Sequence, residues 1–344
     1  MDTSVRSTSW SWRTDAQVNR ANEKTIGLTP PHLLNFGIIS VAVTLRHLQL
    51  DRSRGGRPTV TPPVAPSQPA GAETIARVRE LWLSRRQAST TAEYKVTGTV
   101  PLTVEDASFD EYIGVVSPHI PYLVAAQHAM LGRMVRYLVK QGITQFLDLG
   151  SGIPTHGHVH DVAQAENPEC RVVYVDNQES IVEIGRERLA GNDHVAYLCS
   201  DLCNPTDVLN AADTRRLLDF ERPIAVLLIE TLLHIPDSDN PSTNVDAIIS
   251  SYIDALAPGS YLGISHFSQT RDITAGYAMA DKLFGAKPPM VYLRGPDRIE
   301  TFFTELALEP PGIVPVQLWH PDPEDVPDHN PHLGGVYVGL GRKH

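Results

Sequence analysis

The feature that most constrains the fold is an alternation of short apolar runs with amphipathic stretches, which begins at Ile143. The apolar runs lie at 144–150, 171–177, 195–201, 223–230 and 259–267. Each is short and almost continuously apolar, which is typical of strands buried on both faces of a parallel sheet. Helical spacing occurs between them, near 159–166, 179–190, 206–218 and 243–256. The pattern therefore predicts an α/β, doubly wound, Rossmann-like sheet with helices on both faces.

The last part of the chain breaks this alternation. A predicted helix over 296–308 is followed by two extended runs, 312–320 and 335–342. The connection between these runs is rich in Pro and Asp and has no helical pattern. Because parallel neighbours need a long crossover, two such runs are expected to form an antiparallel pair that completes the sheet.

The chain before the sheet has a different composition. Residues 1–71 form a polar N-terminal extension, which contains an apolar run at 33–45 and ends in a proline-rich linker. Helical spacing resumes in the next region, 72–127. We expect this region to be mostly helical and the sheet domain to occupy 128–344.

Charge, cysteine content and hydropathy exclude several classes of protein. The chain carries 29 basic and 40 acidic side chains, a formal net charge of −11, without a run of five Lys or Arg, so no nucleic-acid partner is expected. Three cysteines in a long chain indicate a reducing compartment. The apolar run 33–45 is shorter than the roughly 20 residues of a membrane span. We therefore expect a cytoplasmic protein without a membrane partner, in which this run could join two copies as a homodimer.

The most informative motif is the segment FLDLGSGIPT at 146–155. A buried strand ends there in the turn Gly150-Ser151-Gly152, where glycine lets the backbone turn sharply and lets a ligand approach it. The next strand ends at Asp176, 24 residues after Gly152, where a carboxylate can accept hydrogen bonds from a ribose diol. Ligands lie outside the carboxyl ends of parallel strands, so these elements predict a pocket for an adenosine-containing ligand.

Two cofactors share this arrangement of strand, turn and acid. A dinucleotide needs the third glycine of G-x-G-x-x-G, but Thr155 stands at that position, and NAD is therefore disfavoured. S-adenosylmethionine has no phosphates and carries positive charge, which Asp148 in the turn can face. A further acid, Asp201, ends the following strand, where it can accept a hydrogen bond from an adenine amino group. The sequence favours S-adenosylmethionine.

The same segments carry a resemblance to a known family. They read VRYLVKQGITQFLDLGSGIPT, HDVAQ, RVVYVDN, LLDFERPIAVLL, DALAPGSYLGISH and GGVYVGLGRK. Over about 128–344 the chain resembles the class I S-adenosylmethionine-dependent methyltransferases, and within them an actinobacterial family first described as a domain of unknown function. The resemblance implies a seven-stranded sheet that ends in an antiparallel hairpin. It also implies that 72–127 forms a lid over the methyl acceptor.

The resemblance also assigns roles to residues by motif position. It implies that the methionine moiety is bordered by Asp148, Gly150, Ser151 and Gly152. It implies that Asp176 binds the ribose and that the adenine is bordered by Asn177, Asp201 and Leu202. The turn from Glu230 to His234, which includes Glu230, is implied to line the cofactor and acceptor side. Each of these residues also has a structural interpretation, such as a helix cap for Asp176.

Three residues at the mouths of the fourth and fifth strands are candidates for a catalytic base. An imidazole with a near-neutral pKa suits the removal of a proton from a hydroxyl or an acidic carbon. His234 and His266 are the candidates of this type, and Glu230 is the next. A metal site is not expected, because the histidines at 156–160 have neither a cysteine nor an H-E-x-x-H pattern nearby.

These observations predict an enzyme that methylates an O, N or C atom of a small molecule, with a specialised metabolite as the acceptor class suggested by actinobacterial relatives. Two alternatives share the fold. One is an enzyme that binds S-adenosylmethionine and promotes a cyclisation or rearrangement without methyl transfer. The other is a non-catalytic partner protein that docks through the N-terminal part of the chain.

Overall fold

A computed structural model describes most of the chain after residue 71. The described residues are 72–90, 103–104, 106–107, 110–111, 113, 119–240, 244–270, 273–274, 277–278, 291–323 and 331–344. They belong to one compact unit, Pro63–His344. The predicted extension 1–71, with its apolar run, lies outside the described residues, so its boundary and the expected dimer contact stay predictions. Among the described helices, none is both long and apolar enough to span a bilayer.

The centre of the molecule is an eight-stranded sheet. Its strands are Gln145–Leu149 (β1), Arg171–Asp176 (β2), Val195–Cys199 (β3), Ala225–Ile229 (β4), Tyr261–Phe267 (β5), Ala307–Leu308 (β6), Val314–Pro315 (β7) and Val336–Arg342 (β8). They follow the order β3-β2-β1-β4-β5-β8-β6, and β7 also pairs with β8. Strands β1 to β5 are parallel, and β8 is antiparallel to its neighbours. The predicted doubly wound sheet with an antiparallel end is confirmed, and it has eight strands rather than seven because two short strands, β6 and β7, both pair with β8.

Helices cover both faces of this sheet. They are Ala72–Thr90 (α1), Ile120–Lys140 (α2), Val159–Glu166 (α3), Glu179–Arg188 (α4), Pro205–Asn210 (α5), Ala212–Leu217 (α6), Val245–Asp254 (α7) and Pro296–Thr301 (α8), with a 3-10 turn at Leu232–His234. Alternate strand residues face opposite cores: Phe146 packs with α2 to α4, whereas Leu147 packs with α5, α7 and α8. Burial on both faces explains the nearly continuous apolar runs.

Two helices differ from their predicted extents. The predicted helix at 206–218 is divided at Ala211, whose ψ of 144° is extended. The predicted helix at 296–308 ends at Thr301, and Phe303 beyond it lies against Gly339 and Gly341 of β8. A Cβ atom at Gly341 would lie 2.7 Å from Phe303 Cδ1, so this approach requires glycine.

The antiparallel pair predicted at the end of the chain, between 312–320 and 335–342, is also shorter than the sequence predicts. In the run 312–320, only Val314–Pro315 is a strand, and a 3-10 turn follows it at Val316–Leu318. A separate short strand, β6, pairs with the other end of β8. Both short strands pair with β8, and the Pro310-Pro311 pair lies between them. Because proline has no backbone N–H to donate to a ladder, this pair interrupts the strand that would otherwise run along β8.

Helix α1 is fastened over the sheet domain by apolar and ionic contacts. Val78 and Trp82 of α1 pack against Val124 of α2. Glu80 of α1 forms a buried ion pair with Arg188 at the end of α4. The predicted helical region therefore contributes a roof above the carboxyl ends of the strands.

A double-mutant cycle on this ion pair measures how firmly the roof is attached. We expect the Glu80→Gln and Arg188→Gln variants to show a coupling free energy of unfolding of about 1–2 kcal/mol, because little of the Glu80 carboxylate is exposed to water. Asp213 and Arg216 form a matched control pair that is about half exposed on α6, and their coupling should stay below about 0.5 kcal/mol. Urea unfolding of the six variants gives both values. Equal coupling in the two pairs would contradict the buried attachment.

Candidate functional site

A cavity of about 350 Å³ lies at the carboxyl ends of the parallel strands. Its floor is made by the residues that follow β1, β2, β3 and β4. Its roof is made by one face of α1 and one face of α2. A volume of this size is typical of a pocket for a small ligand. The structure thus brings the predicted motif residues together in one place.

The turn after β1 has the strained geometry that glycine permits. Gly150 and Gly152 have φ angles of 70° and 64°, in the left-handed region. A Cβ atom on Gly150 would lie 2.2 Å from Thr231 Cγ2, whereas no atom lies within 4 Å of the corresponding position on Gly152. Thr231 fixes the turn by donating a hydrogen bond to the Leu149 carbonyl oxygen at 2.8 Å. The first glycine is needed for packing, and the second leaves its backbone open to the pocket.

Asp176 joins the glycine turn to the next helix. Its Oδ2 accepts a hydrogen bond from the Gly152 N–H at 3.1 Å, and its Oδ1 accepts one from the Gln178 N–H at 3.0 Å. Burial raises the pKa of this carboxyl. The N–H of Asn177 also interacts with this carboxylate, which has about four acceptor positions in all, so acceptor capacity remains for a ligand. Asp176 therefore fixes the backbone before the next helix and keeps acceptor capacity on the pocket.

Asp148 is buried beneath the turn. Burial and the nearby charge of Asp176 raise the pKa of its carboxyl to about 7. His158 Nδ1 lies 3.8 Å from Asp148 Oδ2, but burial lowers the pKa of this histidine well below its usual value, so the imidazole is neutral. The carboxyl thus has no cationic partner there, and its ionised form would be stabilised by a positively charged ligand.

The remaining predicted cofactor residues lie around the rim. Asn177 and Asp201 are exposed and line the cavity together with Leu202. Asp201 Oδ1 accepts a hydrogen bond from the Cys203 N–H at 2.8 Å, which fixes the direction of its side chain. Ser151 lies in the turn and donates a hydrogen bond to the Tyr197 hydroxyl at 2.9 Å. All of these residues line the cavity.

Glu230 enters the cavity from the end of β4. Its φ of 60° is unusual for a residue with a side chain, and such strain is typically found at functional sites. The side chain is buried, and Arg79 Nη1 of α1 lies 2.5 Å from its Oε2. Burial raises the pKa of the Glu230 carboxyl, and the Arg79 charge opposes this shift. The pair links the floor of the pocket to its roof.

The two histidine candidates occupy different environments. His234 is exposed at the mouth of the cavity. His266 is buried outside the residues that line it, its Nδ1 donates to the Phe267 carbonyl oxygen at 2.7 Å, and Arg294 Nη1 donates to its Nε2 at 3.0 Å. Burial lowers the pKa of His266 to about 4. Both ring nitrogens of His266 are thus hydrogen-bonded within the protein, and the residue lies outside the cavity, so it is not placed to act as the base.

The histidines that follow the glycine turn contact one tyrosine. His158 Nδ1 and His160 Nδ1 lie 3.3 Å and 2.8 Å from the Tyr174 hydroxyl. In the part of the chain that the structure describes, no group of three His, Cys, Asp or Glu side chains could hold a metal ion. Of the two histidines, His158 lines the cavity and His160 does not.

Sequence reasoning missed the polar residues of the roof. Arg79 lies in the apolar stripe of α1, next to Val78, and Gln127 and His128 interrupt the apolar stripe of α2. Burial lowers the pKa of His128 to about 4, and Thr155 Oγ1 lies 3.3 Å from its Nε2. A polar side chain within an apolar helical stripe is the signal that could have identified these positions.

Comparisons with known proteins assign the family. A protein-family model described as S-adenosyl methyltransferase matches residues 83–344. The chain belongs to this family. A candidate methyltransferase from Thermobifida fusca YX has a similar structure, with a TM-score of 0.67 and 34% identity, and the match covers 80% of this chain and 96% of that one. A DUF574 family protein from Streptomyces avermitilis MA-4680 matches with a TM-score of 0.68 and 27% identity, over 80% of this chain and all of that one.

A curated protein whose name also refers to S-adenosylmethionine matches part of the chain. The carboxy-S-adenosyl-L-methionine synthase of Shewanella denitrificans is 29% identical over 167 residues, which are 47% of this chain. The match spans 62% of the length of that relative. The predicted family and the use of S-adenosylmethionine by a methyltransferase are confirmed.

The residues of the pocket fit this cofactor. The open backbone at Gly152 allows close approach of a ligand, and Asp176 keeps acceptor positions for a diol. Asp148 offers a buried carboxyl to a positive charge. The open backbone and the carboxyl groups are thus compatible with a ligand that carries a ribose diol and positive charge.

Proposed function

We propose that this S-adenosyl methyltransferase transfers a methyl group to an O, N or C atom of a small molecule bound between the strand ends and the α1–α2 roof. The observation that carries the proposal is the covered cavity of about 350 Å³, which suits small ligands. The net charge of −11 disfavours a nucleic-acid acceptor. A specialised metabolite is one acceptor class consistent with this pocket.

The floor residues have distinct roles in the proposal. S-adenosylmethionine supplies a methyl group activated by a sulfonium. Asp148 and the backbone of the Gly150–Gly152 turn, with Ser151, hold the methionine moiety. Asp176 accepts hydrogen bonds from the ribose hydroxyls. Asn177, Asp201 and Leu202 border the adenine at the rim of the cavity.

The roof and Glu230 act on the acceptor. Methyl transfer needs the two reacting atoms in line at about 3–3.5 Å and little competing water, which a covered pocket favours. Glu230 takes the proton from the acceptor, because its carboxyl is buried beside the acceptor space and its raised pKa makes it a better base. His234 is the second candidate for the base. It ranks after Glu230 because it lies exposed at the mouth of the cavity.

Product analysis tests methyl transfer. The full chain is incubated with methyl-labelled S-adenosylmethionine and a library of small phenols, amines and carbon acids. We expect S-adenosylhomocysteine and a labelled product in equal amounts. Once an acceptor is found, the Glu230→Gln variant should reduce kcat about 100-fold or more. Formation of a labelled product without S-adenosylhomocysteine would overturn the proposal, and so would the absence of S-adenosylhomocysteine with every acceptor class.

The second candidate function is a reaction that alters the cofactor itself without methyl transfer. The partial match to a carboxy-S-adenosyl-L-methionine synthase favours this alternative. It predicts that the mass of the cofactor changes while no S-adenosylhomocysteine accumulates. Mass spectrometry of the same reaction mixtures therefore separates the two candidates.

Cofactor binding is expected to strengthen as the pH rises from about 6 to about 8. The pKa of Asp148 is raised to about 7, so binding of a positively charged ligand near this pH releases the proton that the carboxyl holds. His128 does not contribute in this range, because its pKa is about 4. Calorimetric titration in two buffers of different ionisation enthalpy measures the released proton. The Asp148→Asn variant should release none, and undiminished release from it would contradict the assignment.

The same group has the opposite effect on folding. The folded-state pKa of Asp148 lies above the value for the unfolded chain, so the folded state binds the proton more tightly. The stabilisation by this group is complete at pH values below the unfolded-chain pKa of about 4 and is lost as the pH rises through about 7. Cofactor binding is therefore strongest in the pH range in which Asp148 no longer stabilises the folded protein without cofactor.

A further inference from the structure

The roof of the pocket contains a buried polar side chain for which the proposed function gives no role. Gln127 of α2 is completely buried and lines the cavity. Neither its Nε2 nor its Oε1 has a hydrogen-bond partner in the structure. An unpaired buried polar group costs about 1–3 kcal/mol, and most such groups in folded proteins are paired. A ligand group that bonds to this amide would remove the cost.

The roof also supplies a positive charge. Among the described residues that line the cavity, Arg79 is the only arginine or lysine. Its Nη1 contacts Glu230, the residue proposed to take the proton of the acceptor. A guanidinium has five N–H donors, so the contact with Glu230 leaves donors for a second anionic group. A ligand held by Arg79 would lie beside the proposed base.

Most of the acids that line the pocket lie on its floor, while the roof carries Arg79 and also Glu80, which is paired with Arg188. The floor carries the carboxyl groups of Asp148, Asp176 and Asp201, which suit the positively charged cofactor. These groups would repel an anionic ligand unless a cation held it on the opposite side. A planar guanidinium binds a carboxylate through two parallel hydrogen bonds, and an amide N–H₂ can add a third donor. The donors of the roof thus suit a carboxylate.

We propose that Arg79 and Gln127 form a carboxylate-binding subsite and that the methyl acceptor carries the carboxylate. This inference rests on the proposed function, since it names the class of the acceptor in the same pocket. The acceptor is then a small organic acid whose nucleophilic atom lies near Glu230. The other source of a carboxylate in this pocket is the methionine part of the cofactor, and the experiment below separates the two sources.

The first measurement uses matched probes that differ in charge. The full chain loaded with S-adenosylhomocysteine is titrated with acetate and acetamide, benzoate and benzamide, and 4-hydroxybenzoate and 4-hydroxybenzamide. We expect at least one acid to bind tenfold or more tightly than its amide, and the Arg79→Gln and Gln127→Leu variants to lose this preference. Arg136→Gln is the matched control, because this arginine of α2 pairs with Asp322 outside the cavity, and it should keep the preference. Absence of any acid preference in the unaltered protein would overturn the subsite.

The second measurement compares S-adenosylmethionine with its decarboxylated analogue. Equal binding of the analogue by the variants and the unaltered protein reports that the variants are folded. If Arg79→Gln weakens only the binding of S-adenosylmethionine, the subsite holds the cofactor carboxylate, and the acidic acceptor is overturned. Because both measurements record binding, their failure is distinct from the failure of methyl transfer, which is recorded by S-adenosylhomocysteine formation.

Discussion

Replacement of Gly150 by alanine is expected to destabilise the protein by about 2–5 kcal/mol and to reduce cofactor affinity at least tenfold. A side chain at a φ of 70° costs about 1–2 kcal/mol. The added Cβ atom would also lie 2.2 Å from Thr231 Cγ2, and overpacking of this kind costs about 1–3 kcal/mol. Displacement of Thr231 breaks its hydrogen bond to Leu149, so the turn that floors the pocket moves. Urea unfolding and calorimetry with S-adenosylmethionine measure the two effects.

Gly142 provides the matched control. It also has a positive φ, 89°, but no atom lies within 4 Å of the position of a Cβ atom, and it is outside the cavity. The Gly142→Ala variant should therefore lose only about 1–2 kcal/mol and keep its cofactor affinity. If the two variants bind the cofactor equally well, the packed turn at Gly150 does not form the floor of the site.

Replacement of Asp176 by alanine is expected to weaken S-adenosylmethionine binding about 100-fold or more. The carboxylate is proposed to accept hydrogen bonds from the ribose hydroxyls, and each such bond to a charged acceptor contributes about 1.5–3 kcal/mol. The substitution also removes the bonds that Asp176 accepts from the Gly152 and Gln178 N–H groups. Calorimetric titration of the full chain measures the loss of affinity.

Asp193→Ala is the control for the removal of a carboxylate. This residue is exposed and outside the cavity, so its replacement should leave the affinity unchanged. Asp176→Asn gives an intermediate result, since an amide oxygen can still accept one ribose bond without the negative charge. Equal affinities for the unaltered protein and Asp176→Ala would remove this residue from the site.

The sheet and the glycine turn could be predicted because their signals are local. The alternation of apolar runs and helices locates β1 to β5 along the chain. Gly150, Gly152 and Asp176 lie at strand ends, which the parallel topology brings together. The end of helix α2 is also predicted by a local signal, because Gly142, which has a positive φ, follows it. For these elements, the signals that predict each strand, turn and helix end lie within the element or directly beside it.

The polar contacts of the roof could not be predicted because they join distant parts of the chain. Arg79 lies beside Glu230 in a structure in which α1 packs on α2, and nothing near either residue in the sequence indicates the other. His266 is a similar case. Its position at the end of β5 suggested a base, but Arg294, which follows a long connection, occupies its Nε2. The direction and partners of a strand-end side chain are tertiary properties.

We infer that the pocket beneath α1 and α2 binds S-adenosylmethionine with its ribose on Asp176. The most direct test is a crystal structure of the full chain with S-adenosylhomocysteine. We expect both ribose hydroxyls within about 2.7–3.2 Å of the Asp176 carboxylate and the adenine beside Asp201 and Leu202. A ligand bound elsewhere, or one whose ribose faces away from Asp176, would contradict the claim.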